Sequence, residues 1–302
     1  MTEHLMDRRR AAPKAGPTPL GDRDVHKVTS VRDLLRRKGA PRIADIPPDV
    51  LAALNHGLVP TVNLTEFLAI DLAQLAPAVA GHMGLDSHAQ RLSDTLVVLP
   101  ALKPMKRHDH VARALYDLAA AHPQRDAVSH ALATHASDVA RCWASQWVGF
   151  SGSDFAGQLQ AARRFAADCH FGVREIAWMA VRDALIAAIA KSPADTVAQL
   201  VPWVHDGDAN IRRFASELTR PRGVWCAQIE AFKTQPWLAL PLLEPLRADP
   251  SRYVQNSVAN WLNDASKSQA AWVQDLCTRW SMAPTHAATV YITRRALRTI
   301  QA

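Results

Sequence analysis

The chain is short of most features that announce a particular chemistry. Its four cysteines, Cys142, Cys169, Cys226 and Cys277, lie far apart with no CxxC pair, which speaks against a zinc ribbon or dithiol site and for a reduced protein. Glycines number only 12 against 19 prolines, a balance that suits frequent helix starts and stops rather than flexible linkers. No apolar run approaches bilayer length, so no membrane partner is expected. The first thirty residues have basic groups but no apolar h-region and do not read as a secretory signal; a cytoplasmic location, cytosol or nucleoid, follows as an expectation. There is no GxGxxG after a strand, no P-loop, no HExxH and no GxSxG. The 13 histidines are scattered apart from His108 and His110, and neither a metal nor a cofactor is expected. Strand-like alternation never exceeds a few residues, and the fold class is all-α.

What is present is helical periodicity and positive charge. Hydrophobic residues make up 48% of the 302, and 35 Lys and Arg exceed 28 Asp and Glu, with a pI near 9.5. That surplus suggests a polyanionic partner. Residues 1–28, with Arg8, Arg9, Arg10 and Lys14 among Pro and Gly, read as a disordered basic tail. Residues 29–302 read as one helical domain. Pro47 and Pro48 open a helix, Asn63 to Leu75 reads as an apolar stretch buried around most of its circumference, and Gly149 to Gly157 reads as a loop.

The clearest repeats fall within 160–302. An acid is followed five positions on by a β-branched residue, then a polar residue, then a small apolar residue three later. The copies are Asp168, Val173, Arg174, Ala177; Asp206, Ile211, Arg212, Ala215; and Asp249, Val254, Gln255, Val258. Spacings of 38 and 43 residues match HEAT-type helix pairs, which cannot bury their apolar faces singly and stack into a curved α-solenoid. Ile292 and Ala296 suggest a terminal copy without its leading Asp.

Stacking would align Arg174, Arg212 and Gln255 in one row, and Arg182, Arg220 and Asn263 in a second. Rows of arginine suit a phosphate backbone. For the first row a structural ladder onto the Asp of the neighbouring unit is an equal reading; for the second, with Arg222 beside Arg220, phosphate is favoured. Ser257, Trp261 and Asp264 share one helix face, with Glu217 one unit earlier and Trp178 one before that. An acid in a phosphate-binding groove calls for a cationic target, although Trp178 as core filler and Asp264 as a helix cap are alternatives.

The strings NIRRFASELTRPRGVW (residues 210–225) and DPSRYVQNSVANWLNDASK (residues 249–267) resemble the HEAT-like DNA alkylation repair family, the AlkC/AlkD type of DNA glycosylase. LNHGLVPTVNLTEFLAIDL (residues 54–72) and FGVREIAWMAVRDAL (residues 171–185) resemble its AlkC branch. The resemblance spans roughly residues 45–300. It implies a monomeric base excision repair enzyme on alkylated double-stranded DNA, removing cationic N3- or N7-alkylated purines without base flipping. It implies catalytic roles for Asp264, Glu217, Trp261 and Trp178, which would stabilise positive charge developing on the deoxyribose. It also implies DNA contacts from Arg174, Arg182, Arg212, Arg213, Arg220, Arg222, Asn263 and Lys267. The chain departs from the family at Trp178, where the AlkC branch has Glu, and at Arg182, in the place of the AlkD branch's acid. Leu218 replaces a usual Gly, and no further domain is expected after Ala302. A DNA-binding protein without excision, reading duplex or branched shape, is the alternative, and a scaffold for a protein partner a third reading.

Overall fold

At several helix starts a Ser, Asn or Asp precedes the apolar run and its side chain closes the first turn. Ser30 accepts from the Asp33 amide, Asn63 from Glu66, Asp154 from Gly157 and Asp208 from Asn210, each satisfying a donor the helix cannot use internally. The computed structural model describes residues 30–223, 226–282 and 286–300. The basic tail of residues 1–28 lies outside the described residues. Within them there are α-helices and short 3-10 helices and no strand.

The N-terminal third holds α1 (Val31–Arg36), α2 (Pro48–Asn55), α3 (Leu64–Ala69), α4 (Leu72–His82) and α5 (Ala89–Leu96). The body follows with α6 (Pro104–Ala120), α7 (Arg125–Ala133), α8 (Asp138–Phe150), α9 (Phe155–Ala166), α10 (Phe171–Lys191), α11 (Pro193–Val204) and α12 (Ala209–Leu218). It ends with α13 (Glu230–Thr234), α14 (Leu240–Leu243), α15 (Arg252–Ser266), α16 (Ala270–Met282) and α17 (Ala287–Ala296). Two layers result. A front row packs α6, α8, α10, α12, α15 and α17 side by side, and α7, α9, α11, α14 and α16 lie behind it.

Two local expectations are corrected. The apolar stretch Asn63–Leu75 is two helices, because Asp71 caps the second through the Ala73 amide; Leu64 and Leu68 stay about half exposed. The Gly149–Gly157 loop shrinks to residues 151–154, since α8 runs on to Phe150 and α9 starts at Phe155. Gly149 is a packing residue: a Cβ there would lie 2.5 Å from the Ala180 carbonyl oxygen of α10.

The repeat anchors occupy equivalent places. Val173, Ile211 and Val254 are buried, each the third residue of its helix, α10, α12 and α15, and Ile292 is buried in the middle of α17. The Asp of each copy accepts the amide two residues on: Asp168 from His170, Asp206 from Asp208, Asp249 from Ser251. These turns swing the chain into the front-row helix. The polar residue six positions after each Asp ties that turn down. Arg174 Nη1 donates to the carbonyls of Asp168 and Cys169, Arg212 Nη1 to those of Asp206 and Gly207, and Gln255 Nε2 to that of Asp249. Arg212 also forks onto the Asp249 carboxylate of the next unit at 2.6 and 3.0 Å. A further unit lies upstream, where His135 stands in for Asp: its Nδ1 accepts from the Ser137 amide, and Arg141 forks onto Asp168. In the first row only Arg212 makes the rung onto the neighbouring unit's Asp; Arg174 and Gln255 fasten their own turns, and Asp206 is paired with Arg163 instead. Arg174 and Arg212, expected as DNA contacts, thus spend most of their donors on turn carbonyls and, for Arg212, on Asp249.

Candidate functional site

The opposite, C-terminal ends of the front-row helices carry a different arrangement. Glu217 ends α12 and Asp264 ends α15, and both are almost fully buried. Arg220, just past α12, lies between them. It donates from Nη1 to Glu217 at 3.1 Å and from Nε and Nη2 to Asp264 at 2.9 and 2.8 Å. Arg213, one turn before Glu217, reaches Glu217 at 3.3 Å and Glu175 of α10 at 2.7 Å. Glu175 accepts the Trp178 indole N–H at 2.9 Å, and Lys267 stands 3.6 Å from Asp264. One polar chain, Trp178–Glu175–Arg213–Glu217–Arg220–Asp264–Lys267, thus crosses three helices, with three acids against three bases.

Burial alone would discharge such groups. For Arg213 and Arg220 burial does pull the pKa down, but the facing carboxylates outweigh it and the net shift is upward. Both stay cationic. The helices meet at this level through Ser216 and Ser257, whose hydroxyls bond to each other, and small side chains there let α12 and α15 approach.

The remaining predicted residues divide sharply. Trp261 is fully enclosed, its Nε1 donating to the Thr219 carbonyl at 3.0 Å and its ring set against Phe232, so it packs in the core under the turn before Arg220. Arg182 is 1% exposed and spends its guanidinium on the carbonyls of Ala227, Leu218 and Arg220. Its pKa is lowered by burial first, and no donor faces outward, so it braces the Arg220 loop rather than touching phosphate. Asn263 is likewise turned inward, donating to the Ala296 carbonyl and Thr299 Oγ1. Arg222 is half-buried and donates to Ser268 Oγ at 2.7 Å, and Lys267 is exposed. Trp178 is buried and joins the site only through its N–H.

Sequence reasoning passed over Glu175 and two tyrosines. Tyr253 and Tyr291 are 38 residues apart and each precedes a repeat anchor by one position, a periodic signal that marks an aligned pair. Arg213 lies 4.0 Å over the Tyr253 ring and Arg252 3.6 Å over the Tyr291 ring. Apart from the network, a groove of about 1390 Å³ is lined from α6, α8, α9, α10 and α11, among others by Arg113, Phe150, Met179 and Asp183. Among the described residues no cluster of His, Cys, Asp and Glu is placed to hold a metal, and no helix is long and apolar enough to cross a membrane.

In class this is a HEAT-like helical-repeat protein with an acid–arginine network across three successive units. No protein-family model matches the chain. It is 41% identical over 104 residues to the uncharacterized protein YhaZ of Bacillus subtilis (strain 168), a match covering 34% of this chain and 29% of YhaZ. In three dimensions it is similar to the alkylpurine DNA glycosylase AlkC of Pseudomonas fluorescens, solved with DNA containing an abasic site analog. That likeness has a TM-score of 0.62 and 27% identity over 76% of this chain and 63% of AlkC. AlkD2 from Streptococcus mutans shares the fold at TM-score 0.55 and 19% identity, over 73% of this chain and all of AlkD2. The chain spans less than two thirds of AlkC and under a third of YhaZ. The AlkC/AlkD resemblance read from the sequence is met by the fold, and the AlkC structure superposes better than the AlkD2 structure.

Proposed function

We propose that the chain is a DNA alkylation repair glycosylase that releases cationic N3- or N7-alkylated purines from duplex DNA. The observation that carries the reading is the pairing of Glu217 and Asp264 at the ends of adjacent helices, both buried and both facing one guanidinium. Two carboxylates held together at low dielectric are a site for positive charge, and Arg220 fills it in the free protein.

An alkylated purine is already a cationic leaving group. As its glycosidic bond lengthens, the bonding electrons leave with the base and positive charge develops on the deoxyribose. Carboxylates preorganised beside that sugar oppose the charge where it forms, and one of them orients the water that completes the sugar. Arg220 and the sugar compete for the same carboxylates, so excision requires Arg220 to turn away, its charge being met by a phosphate of the bound strand. Glu175, with its side chain one-third exposed, holds Arg213 alongside. Trp261 and Trp178, enclosed as they are, act by supporting this arrangement.

A second reading, DNA binding without excision, draws on a specific observation too: each carboxylate is already paired with arginine and the Trp261 face is covered. The experiment that separates them is base release. Wild-type protein is incubated with duplex DNA treated with a simple methylating agent, and free 3-methyladenine and 7-methylguanine are quantified. Release supports the glycosylase; binding without release of either base supports the second reading.

A further inference from the structure

The polar network ends in a group unlike its other cations. Arg213 and Arg220 carry guanidiniums, which stay protonated and form no imine. Lys267 brings the network's one primary amine, in a chain whose cations are mostly arginine. Lysine amines are the side chains that make imines with carbonyl carbons.

Its placement suits that chemistry. Lys267 follows α15 directly, and its side chain, nearly half exposed, brings Nζ to 3.6 Å from Asp264 Oδ1. That separation is too long for a hydrogen bond, so the amine is near the carboxylate without being locked to it. Arg220 takes the other oxygen, Oδ2, through Nε at 2.9 Å and Nη2 at 2.8 Å. Oδ1 therefore serves the amine whether or not Arg220 turns away. A reachable amine and an almost fully buried carboxylate stand together beside the place read above for the deoxyribose.

We infer a second activity at this site: cleavage of the DNA strand at an abasic deoxyribose, with Lys267 as the amine nucleophile and Asp264 as its acid–base partner. It rests on the DNA reading proposed above but not on excision, because an abasic site from any source is the substrate. Such a deoxyribose opens to an aldehyde at C1′. The Lys267 ammonium passes one proton to Asp264 Oδ1, and Nζ attacks C1′. A C–N bond forms, and the aldehyde oxygen leaves as water with two of the amine's hydrogens, one of them relayed through Asp264. An iminium remains. Asp264, charged again, removes a C2′ hydrogen, and the iminium holds the electron pair. That pair becomes the C2′=C3′ bond as the C3′–O bond breaks and the 3′ phosphate leaves with its electrons. Water then hydrolyses the imine and frees the lysine. C1′ and C2′ are bonded neighbours, so the amine on one and the base at the other's hydrogen must stand a few ångströms apart, as Nζ and Oδ1 do.

The test uses the full chain and a duplex whose abasic site is made beforehand by enzymatic removal of uracil, so that excision plays no part. Borohydride reduces the iminium to a stable protein–DNA bond. Wild type is expected to give this adduct, with the DNA mapped to Lys267, and without borohydride to nick the strand 3′ of the abasic site. Lys267→Arg keeps the charge but not the amine; it should bind the abasic duplex and lose both adduct and nick. Lys191→Arg, at an exposed lysine ending α10, should keep both. An unchanged melting temperature confirms that each variant folds. A wild type that binds the abasic duplex without forming an adduct, or an adduct that survives Lys267→Arg, would overturn the activity. Failure to bind the abasic duplex would strike the DNA reading and the activity with it. An adduct without base release from methylated DNA would strike the glycosylase reading alone.

Discussion

The two ends of the front-row helices use the same residue types to different ends. At the N-terminal ends, Arg141 and Arg212 each sit six residues past a turn, tie down its carbonyls, and fork onto the next unit's Asp. Each makes four such bonds, two to turn carbonyls and two to a carboxylate, and the assembly is mortar between units. Toward the C-terminal ends of α12 and α15, Arg213 and Arg220 are shared among three carboxylates, one of them Glu175 from the first turns of α10, with Glu175 and Lys267 open to water. Arginine in register with a repeat therefore says little about role. Counting where each guanidinium's five donors go separates mortar from machinery.

The largest effect that sharpens this comparison is on stability. Arg212→Ala would leave Asp249, 5% exposed, without its partner, and removing one side of a buried pair costs about 3–5 kcal/mol. Glu175→Gln, in the shared network, breaks a partly exposed pair and should cost about 1 kcal/mol or less. Urea unfolding of the two variants measures the difference; equal losses would erase the distinction between the two ends.

The ladder also has one rung of a different kind. His135 replaces Asp, accepting from Ser137 at Nδ1 while its Nε2 faces His82 Nδ1 at 2.9 Å. Its pKa is lowered to about 4 by burial, then by His82 and Arg141. The unfolded chain takes up a proton near pH 6.5 and the folded chain does not. Stability is thus full above pH 6.5 and falls as pH drops toward 4, where protonated Nδ1 can no longer accept. Reduced for solvent screening, the loss is on the order of 2 kcal/mol. Buried His108, also at about 4 from burial and then Arg107, adds a decline of the same sign. His135→Asp should remove its own share in an acid unfolding titration, and an unchanged profile would mean that the rung does not titrate.

The smallest expected effect is at Lys267. Its exposed side chain stands 3.6 Å from Asp264, so Lys267→Ala should shift stability by less than about 1 kcal/mol. A larger loss in thermal unfolding would place Lys267 with the closed ladder instead.

Much of this architecture is legible in the sequence. The Asp, the β-branched anchor and the small apolar residue each serve backbone geometry that recurs in every unit, so their period survives. Glu217 and Asp264 also stand out, as acids against a basic background. What the sequence conceals is direction. Arg182 shares a register with half-buried Arg220, yet it and Trp261 are enclosed, their donors met by the Thr219, Leu218, Arg220 and Ala227 carbonyls. The unit led by His135 escaped the pattern because imidazole does the work of carboxylate in its turn and Ala140 stands at the place of the β-branched anchor. Glu175 is out of phase with the repeat and enters the site by reaching sideways to Arg213.

The central claim is that the carboxylates shared by Arg220 carry the chemistry while the ladder carries only the fold. Single-turnover release of 3-methyladenine and 7-methylguanine from methylated duplex, by wild type and by Asp264→Asn, addresses it most directly. The amide keeps the size and an acceptor for Arg220 but removes the charge. The account predicts release slowed about 100-fold, as for the loss of one preorganised electrostatic stabiliser, with DNA affinity held or raised. Equal rates from the two proteins would contradict it.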